Sequence, residues 1–138
     1  MTSKFQQTIL AGMAGTAMMT LVTLIAPMMG MPKMSPPSML SMMMGFPIMI
    51  GWLMHFMIGI TFGAAYVFYF NPLVRKISNY YLKGALFGIA VFIFAQIMLA
   101  ILGMIFPMPA MEGSMFLMML GSLLGHIIYG ITVAVVVK

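Results

Sequence analysis

Four stretches of the chain, roughly 7–28, 47–70, 81–105 and 113–137, are each more than twenty residues long and almost wholly apolar. A helix crossing the hydrocarbon layer of a bilayer needs about 20 such residues. Charge decides the solvent. Only 5% of the 138 residues are charged, whereas a soluble domain uses about 25% to cover its surface. Six basic side chains and one acidic one cannot keep a chain that is 64% hydrophobic in water. In lipid every backbone group must find its partner inside the protein, and segments of this length without alternation satisfy that as helices. The expected fold class is therefore all-α: an integral membrane four-helix bundle, with one transmembrane domain over 1–138.

Local breakers set the segment ends. Pro27 and Gly30 close the first span, Asn71-Pro72 the second and Phe106-Pro107 the third. Lys4 ahead of an apolar stretch makes 1–25 resemble a signal peptide, but no small-x-small cleavage site follows, and the stretch reads as a retained helix. The connection between the first two spans holds nine methionines in 22 residues, from Met28 to Met49. Pro32, Pro36 and Pro37 forbid a continuous helix at its start. Residues 38–44 then have room for a turn or two on the membrane surface, before Gly45-Phe46-Pro47 resets the chain.

Basic residues orient the bundle. Lys4, Arg75, Lys76, Lys83 and Lys138 fall on one side of a four-span arrangement and only Lys33 on the other. The positive-inside rule puts both termini in the cytoplasm of a cell whose inner membrane the chain crosses. Tyr66, Tyr69, Tyr80 and Tyr81 are expected in the inner aromatic belt, and Trp52 near the outer interface beside Phe46.

The two halves of the sequence resemble one another. His55-Phe-Met-Ile-Gly59-Ile60-Thr61 and His126-Ile-Ile-Tyr-Gly130-Ile131-Thr132 share an H-x3-G-I-T pattern. Each outer connection carries M-P-x-M, at Met31–Met34 and Met108–Met111, and Gly12 and Gly15 in the first span pair with Gly84 and Gly88 in the third. Two such helix hairpins enter the membrane in the same direction, so they would be related by rotation about the membrane normal. His55 and His126 then become equivalent positions. The glycine pairs Gly59/Gly63, Gly84/Gly88 and Gly121/Gly125 allow close helix approach. Thr20, Thr23, Thr61, Gln96, Ser122 and Thr132 add hydrogen bonds between helices or back to their own backbone.

Chemistry-bearing residues are few. There is no cysteine, no acid within a span, no nucleophile–base pair and no phosphate loop, so the chain reads as no enzyme. The basic residues are too scattered for nucleic acid. His55 and His126 are the only imidazoles, and an ionisable group in a span asks for a partner. Each is expected to hydrogen-bond a neighbouring helix; as a pair they could instead ligate haem b axially, or hold a copper or zinc ion. Thioethers are soft ligands, so Met31, Met34, Met108 and Met111 are a candidate copper(I) set, with flexible apolar filler as the alternative. Glu112, the sole acid, is expected at the outer mouth of the fourth span, where Lys33 is within reach as a partner but an exposed carboxylate is the simpler state.

The motifs Ala11-Gly12-x2-Gly15-Thr16-x3-Thr20, Met29-Gly30-Met31-Pro32-Lys33-Met34, Gly51-Trp52 and Gly121-Ser122-x2-Gly125-His126-x2-Tyr129-Gly130 run in that order along nearly the whole chain. They resemble an uncharacterised family of small four-span prokaryotic membrane proteins. The resemblance implies the same topology and carries over no activity. That family places an acid after M-G-M-P-K-M, where this chain has Ser35. The function expected from the residues is a non-catalytic accessory or scaffold subunit of a larger membrane complex, contacting lipid and other integral subunits, in a respiratory or copper-dependent oxidase-type assembly. The alternative is a haem- or copper-binding redox or metal-handling module built on the two histidines.

Overall fold

In a computed structural model, which describes residues 3–110 and 113–138, the four apolar stretches are helices over Lys4–Met29, Ile48–Leu73, Tyr80–Gly103 and Met115–Val137. No strand occurs among the described residues. All four are long and apolar enough to span a membrane. Each end has a local cause. Ser3 caps the first span, its side chain accepting from the backbone N–H of Gln6 while the Gln6 side chain accepts from the Ser3 N–H. Asn79 and Ser114 cap the third and fourth spans by their side-chain oxygens alone, each accepting from N–H groups that a helix start leaves without partners. The first span tightens into a 3₁₀ turn over Ala26–Met29 and stops at Gly30, whose φ of 81° suits a residue without Cβ.

Two breakers act differently from expectation. Asn71-Pro72 does not stop the second span. Its turn over Tyr66–Phe70 widens to a π-helix, with the Asn71 N–H donating to the Tyr66 carbonyl, and the chain continues helically through Leu73. Proline lacks the N–H of a regular turn and its ring crowds the carbonyl four residues back; a widened turn before it resolves both problems. Pro36 and Pro37 likewise begin a helix. Ser35 caps a surface helix over Pro36–Met44, where the prolines occupy first-turn positions whose N–H groups would be unpaired anyway. The third span ends at Gly103, two residues before the expected limit.

The surface helix lies over the start of the second span at Gly51, where any Cβ would run into the Pro37 carbonyl. Within each half, the two spans cross on glycine. A Cβ on Gly12 would lie 2.5 Å from Ile60 Cα and 2.9 Å from the Gly59 carbonyl oxygen; a Cβ on Gly84 would lie 2.5 Å from Ile131 Cα and 2.6 Å from the Gly130 oxygen. The same crossing thus occurs in both hairpins, built from corresponding residues. The register differs from expectation at one point: Thr16, which touches Gly59, is the counterpart of Gly88, which touches Gly130. Gly15 faces elsewhere, towards Tyr129 and Val133 of the fourth span.

That difference shapes the bundle. The first and fourth spans pack closely side by side, each flanked by its hairpin partner. Exact two-fold symmetry would bring the second and third spans equally close, but these meet through rings, Phe62 edge-on to Phe94 at 5.6 Å and Tyr66 edge-on to Phe87 at 5.0 Å between centroids. Phe87 stands 72 positions after Gly15, so the small residue that admits Tyr129 in one half is a large ring in the other. Tyr66 is also a correction: it is only 2% exposed and belongs to the core with Phe87, Tyr129 and Val133, whereas Tyr69, 78% exposed, and Tyr81 face outward.

Gly130→Ala should destabilise the protein by about 1–3 kcal/mol, because the new methyl meets the Gly88 backbone, with Cα at 2.8 Å. Gly121→Ala meets only the ends of the flexible Met34 and Met31 side chains, the Met34 methyl nearest at 2.9 Å, and should cost a small fraction of that. Unfolding in detergent micelles measures both.

Candidate functional site

The two histidines occupy corresponding places with different partners. His55 is buried, and its Nε2 lies 3.2 Å from Thr20 Oγ1 on the first span. Thr20 already donates its own proton to the Thr16 carbonyl at 2.8 Å, so its oxygen accepts here and His55 carries the proton on Nε2. Trp52 and Phe56 flank the ring. In the other half, Phe92 stands 72 positions after Thr20 and meets the His126 ring edge-on at 5.8 Å. With no hydroxyl opposite, His126 turns back on its own helix, and its Nδ1 donates to the Ser122 carbonyl at 2.7 Å. That bond leaves the Nε2 lone pair as an acceptor.

The rings therefore face different helices, His55 the first span and His126 the third. A haem or metal ion ligated through Nε2 of His55 would have to displace Thr20. His126 is oriented by its Nδ1 bond as metal-binding imidazoles usually are, but no group of three or more His, Cys, Asp or Glu side chains assembles among the described residues. The threonines behave similarly. Thr23, Thr61 and Thr132 each donate to a carbonyl three or four residues back on their own helix, which satisfies the hydroxyl without a neighbouring helix.

The methionines are regrouped. Met31 and Met34 come together on the fourth span, where a Cβ on Gly121 would find the Met34 methyl at 2.9 Å and the two sulfurs at 3.5 and 3.8 Å. Met108 lies apart, against Gly103 at the end of the third span. Met111 and Glu112 lie outside the described residues. The connection between the first and second spans nevertheless touches that between the third and fourth, Pro32 packing against Gly113.

Beside Met34 a cavity of about 530 Å³ opens between the loop before the surface helix, that helix, the first, third and fourth spans, and the connection between the third and fourth at Pro109 and Ala110. Met39 and Met42 of the surface helix, Met115, Met118 and Met119 of the fourth span, and Met19 of the first line it, with Lys33, Gln96 and Ser122 as polar points. The size is that of a small-molecule or side-chain-cluster site. Sequence reasoning singled out M-P-x-M and missed this grouping. The available signal was spacing: positions 39 and 42, and 115, 118 and 119, each fall on one helical face.

Thr20→Val should leave the buried His55 donor without an acceptor and cost about 1 kcal/mol, within the range of intramembrane hydrogen bonds. Ser122→Ala should cost far less, since His126 uses the backbone carbonyl there. Thermal unfolding of the two variants in one detergent makes the comparison.

No curated protein and no solved structure matches the chain. A family model described as "Family of unknown function (DUF6789)" matches residues 2–138. With the match running along the whole described bundle, the chain belongs to that family of unknown function.

Proposed function

We propose that the protein is a non-catalytic accessory subunit of a larger membrane assembly, engaging its partner through the methionine-lined cavity. In this reading both termini face the cytoplasm across the cell membrane. The cavity is the observation that carries the proposal. The glycine faces at the crossings, which would otherwise be the natural contact stripes for another helix, are consumed inside the chain at Gly12, Gly59, Gly84, Gly88 and Gly130. What remains for recognition is an open recess walled by flexible thioethers, which adapt their shape to an apolar insert. Soft sulfur at the outer face makes a copper-dependent oxidase-type assembly the partner class to look for.

A second reading is soft-metal handling in the same place, favoured by the approach of the Met31 and Met34 sulfurs over Gly121. Lys33 at the cavity opposes it, because an ammonium repels a metal cation.

A fluorescent tag that matures only in the cytoplasm, fused after Lys138, serves both as orientation reporter and as purification handle. The tagged protein should fluoresce and bring down a stoichiometric integral partner in mild detergent. Met39→Glu with Met42→Glu, on the surface helix, should release that partner while the protein stays folded. Isolation as a lone chain removes the accessory reading. Retention of copper(I) by that lone chain, lost in Met31→Leu with Met34→Leu, would establish the second reading in its place.

A further inference from the structure

At the opposite end of the bundle a second cavity of about 290 Å³ sits between the second, third and fourth spans. Its walls are mainly polar. Lys83 and Lys138 enter it from the third and fourth spans, joined by Asn71, Ser78, Tyr80 and Tyr66. Lys83 is half-buried and its Nζ donates to Asn71 Oδ1 at 3.1 Å. The Lys138 ammonium lies over the Tyr80 ring, 4.9 Å from its centroid. Both cations are thus drawn towards one recess by neutral groups. No aspartate or glutamate side chain is among the residues that line the recess.

Tyr66 supplies an independent observation. Its ring is packed against Phe70 and Phe87 and the residue is 2% exposed. Its hydroxyl makes no hydrogen bond with the described residues, and since no buried side-chain polar atom among them lacks a partner, the oxygen is open to the cavity that the residue lines. Facing the recess, the hydroxyl is free to donate to whatever fills it. The π turn that begins at Tyr66 and leads to Asn71 places both residues on this wall.

We propose that this cavity binds a phosphate oxyanion, supplied as the phosphodiester headgroup of an anionic lipid. Two ammonium groups and a phenolic donor match the charge and acceptor oxygens of phosphate. A basic recess between helices, at the level where headgroups lie, is the form such sites take. Ala134 and Val137 on the fourth span form its apolar side, against which the glyceride portion rests. The exposed Arg75 and Lys76 lie outside the recess.

Native mass spectrometry of the full chain in mild detergent, with phosphatidylglycerol and phosphatidylcholine added together, tests this. The wild type should retain phosphatidylglycerol in preference by about tenfold or more, the scale of a charge-assisted hydrogen bond. Lys83→Gln with Lys138→Gln should abolish the preference and Tyr66→Phe should weaken it, with helical content unchanged by circular dichroism. Arg75→Gln with Lys76→Gln should keep it. If millimolar inorganic phosphate strips the lipid, the site stands and its ligand is the free ion; if phosphate leaves the lipid bound, the headgroup is the ligand. Equal retention of the two lipids by the wild type would overturn the proposal. So would loss of preference in the Arg75/Lys76 variant with retention in the Lys83/Lys138 variant. Should the double lysine variant fail to fold, Tyr66→Phe, which removes a single oxygen, decides alone: an unchanged preference refutes the site.

Discussion

Tyr129 stands where the two halves of the protein meet. Its ring passes over Gly15 of the first span, where a Cβ would lie 2.8 Å from two ring carbons, and its hydroxyl donates to the Gly59 carbonyl of the second at 2.6 Å. One side chain of the fourth span thus ties it to both helices of the other hairpin. Only glycine at position 15 gives the ring this path. The consequences reach across the bundle: the first and fourth spans become the centre, and the second and third are held apart by Phe62, Phe94, Tyr66 and Phe87.

This asymmetry explains why two similar halves present different chemistry. At equivalent crossings, Thr16 touches Gly59 while Gly88 touches Gly130. One turn further along, Thr20 accepts a hydrogen bond from His55, whereas Phe92 offers His126 a ring edge and no acceptor. A repeated framework fixes the backbone, and substitutions on it decide which polar groups are satisfied between helices and which within one. The two cavities follow the same division. The methionine-walled recess forms where the loop around Met34 folds over the first and fourth spans, and the basic one opens at the far end beside the Tyr66 turn.

Much of the fold was legible in the sequence because lipid imposes a severe rule on length and polarity. Spans, hairpin pairing and the glycine crossings follow from apolar runs and the H-x3-G-I-T repeat. What escaped was set by three-dimensional neighbours. Gly15 and Gly88 looked equivalent because both are glycine, yet register pairs Gly88 with Thr16. Tyr66 looked like a belt residue from its position near a helix end, but Phe70 and Phe87 bury it. Proline in a span read as a stop, whereas a π turn ahead of Pro72 absorbs it. The methionine cavity is lined from six segments, and the M-P-x-M motif indicated only part of one wall.

The central claim is that two like hairpins are joined along their first and fourth spans and kept apart along the second and third. The chain has no cysteine, so engineered pairs report without background. In the Met19→Cys, Gly125→Cys variant the two positions are close, Met19 Cγ lying 3.3 Å from where the position-125 Cβ would be, and a disulfide needs Cβ atoms about 4 Å apart. That pair should cross-link rapidly and completely in membranes. Phe62→Cys with Phe94→Cys, where two whole rings normally fill the gap, should stay largely reduced. Efficient cross-linking of the second pair with none of the first would contradict this arrangement of the bundle.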